Sequence, residues 1–364
     1  MAFLTALALV AAAPGTLVAQ ATRNEALDEL FKPRQRGFLG ADGAASVSLP
    51  GDRTLWVFGD TIVGTLRNGK KEGPMVRNSI AIVDSKQGVE FFWDLSDGIM
   101  GDFFQPQNIE DPAWYWPGTG ITIDGTLYLF LSRMDKGEGP AGFAFRTVGC
   151  TLFRVSNPGD TPRAWKIERD DLGLGNDHFN VNAACYLEGD YLYLLGYHDG
   201  PNSKPMERRS ILGRIEKAKL DGPGVGKAIR FHAGDDKWIA DPAGATSLFR
   251  PGPTETAIHF DAKTRKYYCL TLEPFKERVL LTEAPAITGP WSEPRPIFTI
   301  DEVVADPDLI HAYTTRIHPM LSKPGTLTFS YVTNTKDFWS VFSRMDVYFP
   351  RFVDYQLTTT VPEN

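Results

Sequence analysis

The stretch Gly120-Ile-Thr-Ile-Asp-Gly-Thr-Leu-Tyr-Leu-Phe-Leu131 consists of two apolar runs separated by Asp124-Gly125. Asp-Gly is a preferred dipeptide of two-residue hairpin turns, and the flanking runs have the length and the β-branched and aromatic content of strands. The stretch therefore predicts a β-hairpin, and the turn accounts for Asp124 without a functional role.

The same form recurs along the chain as an aliphatic strand, a tight turn and a strand rich in aromatic residues. The five copies are Ala44–Phe58, Gly120–Leu131, Asn182–Leu195, Thr256–Leu270 and Ile317–Tyr331. Further strand candidates follow them at Asn78–Val83, Thr151–Val155, Ser210–Ile215, Arg278–Thr282, Met345–Phe349 and, as a fourth strand, Trp291–Ile300. Antiparallel units repeated in this way are typical of blades around an axis, whereas a β-sandwich would lack the repeat. We predict an all-β chain folded as a five-bladed β-propeller, with helical periodicity confined to a short segment at Glu25–Lys32.

Composition excludes several classes of protein. The chain has 364 residues, of which 42% are hydrophobic and 23% charged, as in ordinary globular proteins. Its 38 basic and 45 acidic residues give a net charge of −7, and no long basic run is present. We therefore expect no nucleic acid partner.

The N-terminus has the pattern of an export signal. Residues 3–13 form an apolar run too short to span a bilayer, and Ala19-Gln20-Ala21 follows as a small-residue cleavage site, although no Lys or Arg precedes the run. We predict a signal peptide at residues 1–21, an extension at 22–36, and a propeller domain at 37–360 in a secreted or periplasmic monomer. The alternative is a buried N-terminal helix. No later segment is apolar and long enough to anchor the chain in a membrane.

The three cysteines carry no predicted chemistry. Cys150, Cys185 and Cys269 each lie in or beside an apolar segment that resembles a strand, and none has the paired spacing of a zinc site. Export would permit one disulfide, but small buried thiols explain all three. We predict neither a metal site nor a cofactor, while a structural calcium in the channel, which needs no linear motif, stays open.

The inner strands of a propeller converge on a central channel, so acids at their ends are informative. Asp42 precedes the first strand of blade one, Asp60 follows its second strand, and Glu255 precedes blade four. An acid beside Gly is often only a turn former. Antiparallel pairing, however, places Asp42 and Asp60 at the same end of one hairpin, where mutual repulsion would raise the pKa of one carboxyl. Glycoside hydrolysis needs such opposed carboxylates, and Asp42, Asp60 and Glu255 are the predicted catalytic residues.

Other channel positions are candidates for binding sugar. Arg77 and Asn78 lead into the third strand of blade one, and a guanidinium can orient a carboxylate or hold a sugar hydroxyl. Trp114 and Trp116 lie in a loop rich in Pro and Gly, either as a platform for sugar rings or as loop packing. The predicted substrate-binding residues are Arg77, Asn78, Trp114, Trp116, Asn182 and His318.

Several of these motifs together resemble a known family. They are Asp42-Gly43, Arg53-Thr-Leu-Trp-Val-Phe-Gly-Asp-Thr61, Arg77-Asn78-Ser79, Trp116-Pro117, Thr288-Gly-Pro-Trp291 and Ser330-Tyr-Val-Thr-Asn334. The chain resembles, over nearly all of residues 37–357, a family of five-bladed propeller glycoside hydrolases that was formerly a domain of unknown function and that includes bacterial endo-D-arabinanases. The resemblance implies Asp42 and Asp60 as the catalytic acid pair and suggests Glu255 as a third acid facing the same pocket.

Three functions follow from these observations. The first is a glycoside hydrolase acting on a polysaccharide or oligosaccharide, with a furanoside such as arabinan as the expected substrate. The second is a carbohydrate-binding propeller without turnover, which needs aromatic residues but no opposed carboxylates. The third is a phosphorolytic enzyme, which needs a basic pocket such as Arg77, Arg316 and His318 would form. The positions of the three acids discriminate among them.

Overall fold

The computed structural model describes residues 20–108, 110–139, 144–200, 207–273 and 276–357. The predicted signal peptide therefore lies almost entirely outside the described residues. Within these ranges no helix combines the length and the apolar character needed to cross a bilayer.

The strands form five antiparallel sheets, which are the blades. Blade one contains β2 (Arg36–Leu49), β3 (Arg53–Arg67), β6 (Ser79–Asp84) and β7 (Gly88–Phe92), with the short β4 (Lys70–Glu72) and β5 (Met75–Val76) paired to β3. Blade two contains β8 (Trp114–Ile123), β9 (Thr126–Lys136), β10 (Phe145–Val155) and β11 (Ile167–Asp171). Blade three contains β12 (Phe179–Glu188), β13 (Tyr191–His198), β14 (Arg209–Glu216), β15 (Arg230–His232) and β16 (Trp238–Ile239).

Blade four contains β17 (Ile258–Asp261), β18 (Lys266–Leu272), β19 (Arg278–Ala284) and β20 (Arg295–Thr299). Blade five contains β21 (Leu309–Ile317), β22 (Thr326–Thr335), β23 (Arg351–Gln356) and β1 (Ala21–Arg23). The α-helices α1 (Glu25–Phe31), α2 (Val225–Ala228) and α3 (Asp301–Ala305) and the 3-10 helices Ser96–Gly98, Pro162–Ala164, Lys217–Lys219, Pro242–Gly244 and Phe338–Phe342 lie in connections. The predicted five-bladed β-propeller is confirmed.

The ring closes through its innermost strands. β2 contacts both β8 and β21, β8 contacts β12, β12 contacts β17, and β18 contacts β21. Separate apolar layers fill the spaces between neighbouring blades, for example Val57 and Leu129 between blades one and two and Leu270 and Phe329 between blades four and five. The alternating apolar residues of each strand are thus buried against the next blade, which leaves the inner strand ends free to line a channel.

The N-terminal segment takes part in the closure. β1 pairs antiparallel with β23, with Ala21 opposite Tyr355 and Arg23 opposite Val353. The first and last parts of the chain therefore share blade five, and the sheet extends to residues before Gly37. After β1 the chain forms α1, whose first turn is capped by the Asn24 side chain accepting a hydrogen bond from the Leu27 N–H.

Two predicted strands of blade five are wrong. The first strand of the predicted hairpin Ile317–Tyr331 lies earlier, in β21, and residues 318–325 connect it to β22. Residues 345–349 form consecutive bends, and the third strand of blade five is β23 instead. Val347, Tyr348 and Phe349 are apolar and buried, as strand residues would be, but Tyr348 has a φ of +66°, which lies outside the regular strand conformation. The burial comes from packing this loop against the channel end of the propeller, which no local pattern reveals.

Candidate active site

A cavity of about 400 Å³ lies at the channel end of the propeller and receives side chains from all five blades. Its walls include Asp42 and Asp60 from blade one, Trp116, Ser132 and Phe145 from blade two, Asn182 and Tyr197 from blade three, Glu255 from the loop before β17, and Tyr313 and Asn334 from blade five. The three predicted acids therefore share one cavity.

Asp42 and Asp60 lie within their strands, whereas the sequence places them just outside. β2 and β3 extend past the predicted ends, and their pairing changes register between Ala41 and Gly43 and again between Gly43 and Ala45. A bulge of this kind turns side chains away from the regular alternation of a strand. The carboxyl group of Asp42 consequently lies beside Gly59, where an added Cβ would approach Asp42 Oδ1 to 2.3 Å.

Two phenols hold the carboxyl group of Asp42. Tyr313 donates its hydroxyl hydrogen to Asp42 Oδ2 at 3.0 Å, and Tyr348 donates to the same oxygen at 3.2 Å. Burial raises the pKa of Asp42 well above its usual value, and the charges of Asp60 and Glu255 raise it further, while the two hydrogen bonds oppose the rise. Burial and the nearby carboxylates also raise the pKa of both phenols, so they remain donors.

Asp60 has charged and neutral donors. Arg77 Nη1 lies 3.2 Å from Asp60 Oδ2, and the indole Nε1 of Trp116 donates to Asp60 Oδ1 at 3.0 Å. Burial raises the pKa of Asp60, but the guanidinium of Arg77 and the indole N–H oppose that rise. Arg77 is itself positioned by its backbone N–H, which donates to Asp102 Oδ1 at 2.7 Å. Of the three acids, Asp60 is thus the one whose ionised form is best stabilised by its neighbours.

Glu255 is held from blade five. Arg316 is almost fully buried, and its Nη2 donates to Glu255 Oε1 at 3.3 Å while its Nη1 donates to the carbonyl of Thr256 at 3.1 Å. Thr256 fixes the loop, since its N–H donates to the Ala183 carbonyl and its hydroxyl to the Leu270 carbonyl. Burial raises the pKa of Glu255, and the charge of Arg316 opposes the rise.

Two predicted binding residues line the cavity. Trp116 presents its indole beside Phe145, with ring centroids 4.5 Å apart. Asn182 is buried and donates to Ser132 Oγ at 2.9 Å. Arg77 stands behind Asp60, with its guanidinium 4.8 Å from the ring centre of Trp114.

Three other predicted binding residues lie in packed or structural positions. Asn78 is buried, and its side chain links blades one and two by donating to the carbonyls of Phe104 and Tyr115. Trp114 is buried and packs edge-on against Trp116. His318 is fully buried, hydrogen-bonded to Ser46 Oγ and Ser330 Oγ, and burial lowers its pKa to about 3. Each contributes to the fold through contacts that the sequence alone does not show.

Sequence reasoning missed the two phenols on Asp42. Tyr313 belongs to a polar segment that the sequence pattern places before blade five, which offers a weak signal. Tyr348 offers no signal in the sequence, because it lies in a loop predicted as a strand and is 306 residues away from Asp42. Tyr197, which also lines the cavity, has the periodicity of an ordinary strand residue.

The basic pocket required for phosphorolysis does not form in the described part of the chain. Arg77 is paired with Asp60, Arg316 with Glu255, and His318 is neutral within the core. Within the described ranges, no three His, Cys, Asp or Glu side chains are grouped so that they could hold a metal ion. The three cysteines are free thiols.

Solved structures with the same fold include three informative examples. A candidate hydrolase from Bacteroides ovatus is 20% identical, with 92% of this chain and 89% of that chain covered and a TM-score of 0.71. A GH43_1 enzyme from Xanthomonas citri in complex with xylotriose is 13% identical over 93% of both chains, with a TM-score of 0.50. An exo-β-1,3-galactanase from Phanerochaete chrysosporium is 10% identical over 91% of this chain and 64% of that chain, with a TM-score of 0.51. At these identities the likeness concerns the fold.

No curated protein matches the chain. The family model DUF5005, described as a domain of unknown function, matches residues 24–356, a range that begins directly after β1 and ends at the last residue of β23. It contains the three acids, their donors and the whole of the cavity wall. The chain therefore belongs to the DUF5005 family.

Proposed function

We propose that this protein is a glycoside hydrolase that cleaves a polysaccharide or oligosaccharide in the central cavity. The observation that carries the proposal is the meeting of three carboxyl groups, Asp42, Asp60 and Glu255, in one cavity with separate donors on each. Turn formation explains none of these arrangements. Structures of similar fold include an enzyme in complex with xylotriose and an exo-β-1,3-galactanase, which supports a carbohydrate substrate.

The surroundings of the three acids favour different protonation states, and hence different catalytic roles. Cleavage needs one protonated carboxyl for the leaving oxygen and one ionised carboxylate to assist attack at the anomeric carbon. Asp60 suits the ionised role because Arg77 and Trp116 stabilise its charge. Asp42, whose pKa is raised most clearly by burial and by its two acidic neighbours, suits the protonated role, and Glu255 supports or replaces it.

A binding propeller without turnover is the second candidate. Trp116, Phe145 and Asn182 would serve a lectin as well as an enzyme. A lectin has no use, however, for three buried acids that repel one another, since each costs free energy to desolvate. The cluster therefore favours the hydrolase.

Replacement of each acid by its amide tests the proposal. We expect Asp42→Asn, Asp60→Asn and Glu255→Gln to lower kcat by about 10²-fold or more while the melting temperature stays near that of the unaltered protein, because the amides keep shape but lose proton chemistry. Glycosyl fluorides refine the roles, since fluoride departs without a proton. The variant that lacks the proton donor should keep its activity on the fluoride and lose it on the polysaccharide. Near-normal turnover by all three variants would favour the binding propeller.

The proposed substrate is a furanoside such as arabinan, on the strength of the sequence motifs around Asp42 and Asp60. A panel of arabinan, xylan and β-1,3-galactan, with product sizes determined by chromatography, tests that choice. We also propose that the enzyme acts outside the cytoplasm as a monomer after loss of residues 1–21. N-terminal sequencing of exported protein should find a start near Thr22, and light scattering should find one chain.

A further inference from the structure

A second cavity of about 340 Å³ adjoins the central one. The two share a wall made by Thr254, Glu255, Tyr313 and Thr314. The far side of the second cavity is formed between blades four and five, with Leu272 at the end of β18 among its residues. Glu255 therefore borders both cavities.

The shared wall includes an irregular segment of β21. The pairing of β21 with β22 changes register between Tyr313 and Arg316, and Thr314 between them has a φ of +56°. A β-branched residue rarely adopts this conformation, and such strain is found preferentially at functional sites. The bulge sets Thr314 on the boundary between the two cavities.

Two threonine hydroxyl groups at this bulge lack a hydrogen-bond partner. Thr314 is 6% exposed and Thr315 2% exposed, yet among the described residues neither Oγ1 has a hydrogen-bond partner. Buried hydroxyl groups are normally paired, so two adjacent exceptions at a cavity wall require an explanation. Both residues line the second cavity, so a molecule rich in hydroxyl groups bound there would supply the missing partners.

The remaining wall suits a neutral polar ligand. Arg208 lines the second cavity, but its charge is neutralised by Asp199 at 2.9 Å and its guanidinium lies 4.5 Å from the ring centre of Tyr197, which lines the central cavity. Glu273 also lines this cavity, and its charge is neutralised by Arg278. Thr271 and Leu272 add a hydroxyl and an apolar surface. Mixed polar and apolar contacts of this kind fit a sugar ring.

We propose that the second cavity binds the sugar unit on the leaving-group side of the cleaved bond, with Thr314 donating or accepting a hydrogen bond at the boundary. The inference rests on the proposed function and adds the direction of the substrate, which runs from the central cavity past Glu255 into the second cavity. The preferred substrate is accordingly an oligosaccharide or polysaccharide, and glycosides with a very small leaving group do not use this site.

Two variants test the second cavity. Thr314→Val removes the hydroxyl at nearly constant volume, and Leu272→Trp fills the cavity from its far side. Thr151→Val is the matched control, because Thr151 on β10 also has a buried hydroxyl without a partner but lines neither cavity. The probes are arabinotriose, xylotriose and β-1,3-galactotriose, together with the glycosyl fluoride of each sugar.

We expect Thr314→Val and Leu272→Trp to lower kcat/KM on the cleaved trisaccharide at least tenfold and to change kcat/KM on the matching fluoride less than twofold. Thr151→Val should change neither. An equal loss on both substrates, or no loss on the trisaccharide, would overturn the inference while leaving the hydrolase function in place. If the unaltered protein hydrolyses a fluoride but none of the trisaccharides, the inference is likewise overturned and the hydrolase function stands. Absence of all hydrolysis by the unaltered protein would instead overturn the proposed function, and this inference with it.

Discussion

Gly59 decides where the carboxyl group of Asp42 lies. The bulge in β2 brings Asp42 Oδ1 so close to Gly59 that a Cβ there would meet it at 2.3 Å. The clash involves the end of a side chain and no backbone atom, so the fold can absorb it by moving the carboxyl group. Glycine at this position is therefore needed to place the Asp42 carboxyl group, whereas the strand itself would tolerate a side chain.

Gly59→Ala should for this reason abolish most activity with little effect on stability. We expect kcat/KM to fall at least tenfold, because Asp42 leaves its position between Tyr313 and Tyr348. Kinetics and thermal unfolding of the variant provide the measurement. Gly159→Ala is the control, since an added Cβ there meets nothing within 4 Å. Unchanged kinetics in Gly59→Ala would show that Asp42 is not needed in its present position.

Arg77 controls the acidic side of the pH profile. Its guanidinium opposes the rise that burial imposes on the pKa of Asp60. Removing it in Arg77→Gln raises that pKa, so Asp60 becomes protonated at a higher pH during acidification. The acidic limb of kcat/KM should shift upward, modestly because the Arg77 side chain is 46% exposed and screened by solvent.

The pH dependence of kcat/KM for Arg77→Gln, at low and high salt, checks this expectation. Arg169→Gln is a suitable control, because Arg169 also lies over an aromatic ring, that of Phe153, and borders no cavity acid. An acidic limb that stays in place would remove Arg77 from the electrostatics of Asp60.

At the scale of an element, β8 separates the packing role of tryptophan from the binding role. Trp114 and Trp116 are two residues apart on the same strand. Trp114 is buried, whereas Trp116 lines the cavity and donates a hydrogen bond to Asp60. Trp114→Ala should cost about 3–5 kcal/mol of the free energy of unfolding, as for other large buried aromatic residues. Trp116→Ala should cost less stability and raise KM for the polysaccharide.

Thermal unfolding and steady-state kinetics of both variants test the division. Trp116→Phe adds a finer comparison, since it keeps an aromatic face but removes the N–H that donates to Asp60 Oδ1. A larger loss of stability in Trp116→Ala than in Trp114→Ala would reverse the assignment.

At the scale of the whole molecule, β1 joins the beginning of the chain to its end. Arg23 on this strand pairs with Asp28 at 3.1 Å and with Glu302, and its guanidinium lies 5.4 Å from the ring centre of Tyr331. Without β1, the backbone of β23 becomes an exposed sheet edge, which invites aggregation. Closure of the ring is thus a property of residues far apart in the sequence.

A chain that starts at Asn24 should therefore unfold at a lower temperature and aggregate more readily than one that starts at Thr22. Its activity below the unfolding temperature should be nearly unchanged, because β1 is the outermost strand of blade five. Calorimetry and light scattering of the two chains provide the comparison. Arg23→Ala distinguishes loss of the ion pairs from loss of the strand, and equal melting temperatures for the two chains would contradict a stabilising role for β1.

The sequence by itself determined the blades, because strand alternation and turn chemistry are local. Asp124 and Gly125 illustrate this, since their φ values of +49° and +85° are those of the two-residue turn that Asp-Gly favours. The polar residues at inner strand ends likewise led to Asp42, Asp60, Glu255, Trp116 and Asn182, all of which line the cavity.

Only the tertiary structure decided how those residues are supported. The phenols that donate to Asp42 come from blade five, and one of them, Tyr348, lies in a loop whose sequence resembles a strand. Asn78 and His318 form hydrogen bonds within and between blades instead of lining the cavity. The physical reason is that bulges, register and blade-to-blade packing depend on residues far apart in the sequence, such as Asp42 and Tyr348, which are 306 positions apart. The periodicity of a strand depends only on its immediate neighbours.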